Sequence, residues 1–330
     1  MKKLFFYPQH PGTQAINPYC DNYLKSVENY YDIVRTKNRH LPRGLDLLIH
    51  SLKADVYVLN WLESISSLRC GFIQTVLAVL ALCVVHMRRK RIVWMFHNIH
   101  PHYGENTSSR LLKKLLFKWS ILIIAHSKEA AEYAKKFAKG DVRFRVHPME
   151  VVDYGTWDGA VRDCDYLCWG SIHPYKGTVD LLENSHCQKS RKRILIIGKC
   201  VDDSLRKKIE ELAKDNVVYE NRSACYSEIA AQCKKAAYVL FPYVGDGVSS
   251  SGVLMDTLLM GGIPVGPDRG AFSDLAEQGC CITYNNLDEV FSLPTDEHRL
   301  KLDSQKVNAF IENNIWSSFG DWLYNTLESI

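Results

Sequence analysis

The stretch SSSGVLMDTLLMGGIPVGP, residues 249–267, combines a serine-rich helix start with a helix stop and a short apolar strand. One N-cap residue is enough to start a helix, so the small side chains of 249–252 leave room for a ligand beside the first backbone N–H groups. Those groups carry partial positive charge and favour anions. The stretch therefore predicts either an anion site with Asp256 one turn along the helix, or a capped helix with an incidental acid.

Apolar runs alternate with helical patterns along the rest of the chain. Most are continuous Val/Ile/Leu runs, which are typical of parallel strands covered on both faces. Strand–helix alternation of this kind predicts an α/β fold with doubly wound layers. The predicted strands are 3–7, 55–60, 92–98, 121–127, 142–147, 166–172, 193–199, 216–221, 238–243, 263–266 and 281–284.

The chain has 330 residues, which suits two domains better than one core. Periodicity lapses over 149–166, where glycines and acids cluster, so the boundary is predicted there. We expect a Rossmann-like domain over 1–155, a second over 156–310, and a C-terminal helical segment, 311–330, that returns to the first. Two such domains leave a cleft between the carboxyl ends of their strands, where ligands bind.

Composition excludes several classes of function. The net charge of +4 does not indicate nucleic-acid binding. The eleven cysteines have no CxxC pair and indicate reduced thiols in a cytoplasmic protein. The first apolar run is too short for a signal peptide, and 71–87 is interpreted as a packed helix, with a short membrane span as the alternative. The absence of GxGxxG and GxSxG argues against a dehydrogenase and a serine hydrolase.

Polar residues that follow the predicted strands are the candidates for binding. In the second half, Lys176 follows one strand and the serine-rich helix start follows another, so an ammonium group and backbone N–H groups would meet a diphosphate there. Asp256 is expected to accept hydrogen bonds from ribose hydroxyls. In the first half, Gly12, Trp61 and His97 follow three strands.

Three histidines, His97, His100 and His102, lie close together on a loop that contains Pro101. Metal sites usually have a defined helical spacing or cysteine partners. A neutral imidazole that binds a sugar hydroxyl or acts as a base suits His97 better, and a structural histidine is the other interpretation. We expect no metal.

In this order the motifs resemble those of GT-B glycosyltransferases, which transfer sugar from a nucleotide-sugar to an acceptor. The likeness covers nearly the whole chain and is closest to the bacterial polysaccharide and glycolipid enzymes of the group-1 type. IVWMFHN (92–98) resembles the strand that ends in the family's functional histidine, and HNIHPH its HN-x-x-PH variant. WGSIHPYKG (169–177) is similar to the phosphate loop GR-x4-KG, and GVLMDTLLMGGIPVGP to the donor helix.

The chain departs from the family pattern at two positions. Ser171 stands where the family has an arginine beside the lysine, and Val248 stands where it has the first of two glutamates. Asp256 aligns with the second glutamate. Valine cannot hydrogen-bond the donor sugar, so that hydrogen bond is expected from Asp246, the neighbouring serines or backbone N–H groups. Both retaining and inverting mechanisms stay open.

The resemblance implies a GT-B fold, two Rossmann-like domains facing an interdomain cleft, and a role for each candidate residue. Catalytic roles fall to His97, Glu105 and Lys176, with His100 as a further candidate base. The implied donor-binding residues are Ser171, Lys176, Asn221, Arg222, Asp246, Ser249, Ser250, Ser251, Gly252 and Asp256. The implied acceptor-binding residues are Gly12, Asn17, Trp61, Asn98, His100 and His102.

The implied activity is that of a hexosyltransferase using a UDP- or GDP-sugar, with no cofactor and no metal, on a glycan or lipid-linked glycan in polysaccharide biosynthesis. A non-catalytic partner subunit and a nucleotide-sugar epimerase of the same architecture are the alternatives. The basic segments 87–91 and 110–119 are interpreted either as a contact with an anionic membrane surface or as solvated faces flanking core leucines.

Overall fold

A computed structural model describes residues 1–9, 18–37, 40–99, 105–152, 163–245 and 251–330. The chain forms two compact units. The first consists of Met1–Glu150 together with Ile315–Ile330, and the second of Val151–Asn314. Each unit is built around its own six-stranded sheet.

The sheet of the first unit is parallel throughout, in the order β2-β1-β3-β4-β5-β6. Its side chains alternate between the two faces: Phe5 and Tyr7 belong to one apolar cluster, whereas Leu4 and Phe6 belong to the other. Both faces are therefore covered, which explains the continuous apolar runs. The strands are β1 (Lys3–Tyr7), β2 (Asp32–Ile33), β3 (Val56–Asn60), β4 (Arg91–Phe96), β5 (Leu122–Ala125) and β6 (Asp141–Phe144).

Helices cover both faces of this sheet. The C-terminal helix packs on the first helix of the chain, and a Cβ atom placed on Gly320 would lie 1.9 Å from the Ser26 carbonyl oxygen, so a glycine permits this close approach. The helices are α1 (Tyr19–Val27), α2 (Arg43–His50), α3 (Gly71–Met87), α4 (Thr107–Trp119), α5 (Lys128–Lys135) and, at the end of the chain, α14 (Trp316–Ser329), with a 3₁₀ helix over Leu62–Ser67.

The second unit repeats this architecture with the order β12-β11-β10-β7-β8-β9, again all parallel. Its strands are β7 (Cys164–Trp169), β8 (Ile194–Ile197), β9 (Val217–Glu220), β10 (Ala236–Leu240), β11 (Pro264–Pro267) and β12 (Ile282–Tyr284). Its helices are α6 (Thr178–Glu183), α7 (Ser185–Lys189), α8 (Asp203–Leu212), α9 (Tyr226–Lys235), α10 (Gly252–Leu259), α11 (Gly270–Glu277), α12 (Leu287–Val290) and α13 (Ser304–Asn313), with a 3₁₀ helix over Pro174–Lys176.

The doubly wound α/β architecture predicted from the sequence is confirmed, and each predicted strand has its counterpart. The sequence missed Asp32–Ile33, a two-residue edge strand without an apolar run. The segment Gly71–Met87 is a packed helix, as expected, with one face buried along residues Gln74, Ala78, Leu82 and Val85. Within the residues described above, no helix has the length and apolar character needed to cross a membrane.

Candidate functional site

Each sheet has a point where the chain order reverses. In the second unit β7 lies between β8, which follows it, and β10, which comes later in the chain. Ligands of open α/β sheets bind at such a switch point, outside the carboxyl ends of the strands. Lys176 follows β7 and α10 follows β10, so the fold brings the two predicted anion-binding features to the same edge of the sheet.

Lys176 lies at the end of the 3₁₀ helix that follows β7 and is only 7% exposed. Its turn packs tightly, since a Cβ on Gly177, which has φ +66°, would lie 1.8 Å from the Pro242 carbonyl oxygen. The ammonium nitrogen is 5.6 Å from the centroid of the Tyr243 ring. Burial lowers the pKa of Lys176 from its ordinary value.

The start of α10 adjoins Tyr243. Ser251 is the N-cap, and its hydroxyl accepts a hydrogen bond from the Leu254 backbone nitrogen at 3.3 Å. The Tyr243 hydroxyl is hydrogen-bonded to the Ser251 side chain, and burial is the main reason that its pKa rises to about 12. A cavity of about 20 Å³ lies beside Lys176 and Tyr243, room for about one water molecule.

Asp256 lies on α10, one turn beyond Gly252, and is partly buried. It accepts a hydrogen bond from the Tyr226 hydroxyl at 3.2 Å. Desolvation raises the pKa of Asp256 to about 6, although the Tyr226 hydrogen bond acts to lower it. The Trp169 ring packs edge-on against Tyr226, with centroids 6.3 Å apart, so aromatic side chains surround this carboxyl.

Three other predicted donor residues occupy the ends of β7 to β9. Ser171 is exposed just beyond β7. Asn221 accepts a hydrogen bond from the Cys200 backbone nitrogen at 2.9 Å, so it joins the ends of β8 and β9. Arg222 is held by two carboxylates, those of Glu220 and Glu228.

In the first unit the order reverses between β1 and β3, and Trp61 and His97 lie directly beyond β3 and β4. Their rings stack with centroids 4.7 Å apart. The amide nitrogen of Asn60 donates to the Tyr7 carbonyl oxygen at 3.2 Å, so the amide oxygen faces His97 Nε2, 3.1 Å away. That oxygen only accepts, so Nε2 carries the proton and Nδ1 is the basic nitrogen of the neutral ring.

Two further histidines, which sequence reasoning missed, complete this cluster. His126 and His147 follow β5 and β6, and the His126 ring lies 5.2 Å from that of His97 and 5.5 Å from that of His147. Burial lowers the pKa of His126 to about 4 and that of His147 to about 3. Both rings are therefore neutral at physiological pH. His126 directly follows β5 and His147 lies three residues after β6, which is the kind of position that singled out His97.

The remaining predicted residues divide by location. Asn98 follows His97 and is half-buried. Glu105 lies before α4 and forms an ion pair of 2.7 Å with Lys113. No group of three potential metal ligands occurs in the portion of the chain described. The predictions that lie outside the described residues are Gly12, Asn17, His100, His102, Asp246, Ser249 and Ser250, together with Val248.

Comparison with known proteins bears on the fold. No protein-family model and no curated protein sequence matches the chain. Among solved structures, HepE of Anabaena in complex with UDP and glucose is 14% identical, with a TM-score of 0.71 and full coverage of both chains. AviGT4, a glycosyltransferase involved in avilamycin A biosynthesis, is 11% identical, with a TM-score of 0.62 over 99% of this chain and 98% of its own.

A third similar structure is an α,α-trehalose-phosphate synthase (UDP-forming) from Burkholderia vietnamiensis. It is 12% identical and has a TM-score of 0.59 over 82% of this chain and 80% of its own. At this level of identity the likeness concerns the fold. Together with the two six-stranded parallel sheets, it confirms the predicted fold: the chain has the GT-B fold.

Proposed function

We propose that the protein is a glycosyltransferase that takes a hexose from a UDP- or GDP-sugar. The observation that carries the proposal is the buried ammonium group of Lys176. Among the described residues it has neither a carboxylate nor a carbonyl acceptor, only the Tyr243 ring.

Two other lysines, the buried Lys113 and the partly buried Lys192, show the contrast. Lys113 Nζ donates to the Ile99 carbonyl oxygen and to Glu105, both at 2.7 Å. Lys192 Nζ donates to the Leu293 carbonyl oxygen and the Tyr166 hydroxyl. Burying a cation without such partners is costly, so a bound anion is the natural acceptor for Lys176.

The donor would then bind along the switch point of the second unit. Lys176 and the backbone N–H groups at the start of α10, with Ser251 as its cap, hold the diphosphate, and Asp256 accepts hydrogen bonds from the ribose. Bond breaking leaves negative charge on the departing phosphate, which a fixed cation and N–H groups stabilise as it develops. These groups supply the positive charge, so we propose a reaction without metal. EDTA should leave turnover unchanged.

The acceptor would bind to the first unit. Trp61 offers an apolar ring for a sugar face, and His97 presents an imidazole whose Nε2 is fixed by Asn60. His97 would position the sugar in a retaining reaction or take the acceptor proton in an inverting one. Glu105 is a second candidate base, and it forms an ion pair with Lys113.

HepE, bound to UDP and glucose in one structure and to UDP-glucose in another, supports the choice of donor class. We propose a glycan or lipid-linked acceptor in polysaccharide biosynthesis, and a cytoplasmic protein that contacts the inner face of the membrane. The support for membrane contact is α3, where Phe72, Ile73 and Leu80 are exposed and basic residues 88–91 follow.

The test compares Lys176→Met with Lys192→Met. Both substitutions remove an ammonium group from the second unit, buried at Lys176 and partly buried at Lys192. Only Lys176 lies at the switch point. We expect Lys176→Met to weaken UDP or GDP binding by about tenfold or more, the loss of one charge-assisted hydrogen bond. Lys192→Met should bind the nucleotide normally. Calorimetric titration measures both, with circular dichroism to check folding.

A panel of UDP- and GDP-sugars then identifies the reaction. Acceptor-dependent release of nucleoside diphosphate is the expected result. Epimer formation without acceptor, or binding without turnover, would contradict transfer and support the epimerase or the non-catalytic subunit. Unchanged nucleotide affinity in folded Lys176→Met would remove the proposed donor site.

A further inference from the structure

A large cavity in the first unit lies between α4 and α5, and among the described residues Glu105 is the one candidate that lines it. Its volume is about 560 Å³, within the range of small-molecule pockets. We call it the α4–α5 pocket. Cationic and aromatic side chains dominate its lining, among them Arg110, Lys113, Lys114, Lys118, Lys139 and Phe137.

The floor of the α4–α5 pocket is aromatic. The Phe137 ring lies 5.6 Å from that of Phe117 and 5.2 Å from that of Tyr133. Phe137 is 54% exposed, so part of this surface faces solvent. An exposed aromatic cluster inside a concave site favours an apolar ligand group.

The rim of the pocket is cationic. Arg110, Lys114 and Lys118 recur every four residues along α4, so they share one exposed face. Together with Lys139 they have no ion-pair partner among the described residues. By contrast, Lys135 on the neighbouring α5 contacts Glu132 at 2.6 Å.

Lys113 connects the pocket to the candidate acceptor site. It lines the pocket, and its ammonium group binds the Ile99 carbonyl oxygen at 2.7 Å. Ile99 is two residues beyond His97, so its Cα lies within about 7 Å of the His97 Cα. Lys113 therefore joins the lining of the pocket to the backbone that follows His97.

We propose that the α4–α5 pocket binds a phosphate ester joined to a hydrocarbon chain. The phosphate lies against the cations of the α4 rim, and the first carbons of the chain lie on the aromatic floor. The bearer of this group is a lipid-linked acceptor, an identification that rests on the proposed function. Binding of the lipid phosphate itself does not depend on that function.

The test uses octyl phosphate as the probe. Inorganic phosphate serves as the comparison ligand without the chain, and octyl glucoside as the one without the phosphate. We expect the wild-type protein to bind octyl phosphate about tenfold or more tightly than either. Lys114→Glu/Lys118→Glu should weaken octyl phosphate binding about tenfold or more, whereas Phe137→Ala should weaken it while leaving inorganic phosphate unaffected. The matched control is Lys189→Glu/Lys207→Glu, the same charge change at exposed lysines of the second unit.

Several results would overturn the inference. The first is an affinity for inorganic phosphate equal to that for octyl phosphate, and the second is a control variant that binds octyl phosphate as weakly as Lys114→Glu/Lys118→Glu. The third is binding to vesicles of phosphatidylcholine and phosphatidylglycerol without binding to octyl phosphate. That third result would indicate a membrane-docking surface instead. UDP binding is measured in parallel. If UDP binds and octyl phosphate does not, the α4–α5 pocket alone is refuted. If octyl phosphate binds and UDP does not, the donor site alone is refuted.

Discussion

The substitution Asp256→Asn is the sharpest test of the donor site, because it should raise stability and reduce binding. Burial raises the pKa of Asp256 to about 6, whereas an aspartate in an unfolded chain titrates near about 3.9. The folded protein therefore holds this proton more tightly than the unfolded chain. The resulting stabilisation is complete below about pH 4 and is lost as the pH rises through about 6.

Above pH 7, the difference between these pKa values costs the folded second unit about 3 kcal/mol. Asparagine cannot ionise, is nearly the same size, and can still accept the hydrogen bond from Tyr226. We expect Asp256→Asn to raise the free energy of unfolding at pH 8 by about 1–3 kcal/mol and to have little effect at pH 4. Urea unfolding followed by circular dichroism at pH 4, 6 and 8 measures this.

Binding should change in the opposite direction. The loss of a carboxylate that accepts ribose hydrogen bonds should weaken UDP-glucose binding about tenfold or more at pH 8. The control is Asp215→Asn, which removes an exposed carboxylate of the same unit. If Asp256→Asn had the stability and the UDP-glucose affinity of the wild-type protein at pH 8, this carboxyl would be neither desolvated nor part of the donor site.

Three further predictions concern the rest of the fold. Burial lowers the pKa of His126 to about 4, so the first unit should lose stability as the pH falls from about 6.5 towards 4. His126→Gln should reduce that loss when the free energy of unfolding is measured over this pH range. Gly177 has φ +66°, and a Cβ there would lie 1.8 Å from the Pro242 carbonyl oxygen. Gly177→Ala should therefore lower the free energy of unfolding by about 2 kcal/mol or more, measured by urea unfolding, and abolish UDP binding, measured by calorimetry. Gly320→Ala would place a Cβ 1.9 Å from the Ser26 carbonyl oxygen, so it should lower the melting temperature by several degrees, unlike Ser317→Ala at an exposed position of α14.

Most of the fold could be predicted because buried parallel strands have a simple sequence pattern. The run at 193–199 predicted β8, found at Ile194–Ile197, since a strand covered on both faces is apolar at consecutive positions. The same reasoning could not find Asp32–Ile33. That strand exists through its pairing with β1, a tertiary contact that leaves no local pattern.

The candidate site was predictable in part, for a related reason. Lys176 and Asp256 were expected from their positions relative to strands and a helix start. Tyr226 and Tyr243 were missed because a tyrosine in an apolar context is usually a core residue. Only the folded structure shows that one contacts the Asp256 carboxyl and the other the Lys176 ammonium group.

The buried Lys176 and the partly buried Asp256 imply that the parts of a nucleotide-sugar are recognised over different pH ranges. Below pH 6 Asp256 is largely neutral, so the site lacks a carboxylate for the ribose and carries less negative charge near the diphosphate. Above pH 6 the carboxylate forms and accepts the ribose hydroxyls, at the cost of negative charge near the phosphates. Affinity for UDP-glucose should therefore rise through pH 6, and affinity for its 2′,3′-dideoxy analogue should not. If both ligands followed the same pH profile, the carboxylate would not contact the ribose.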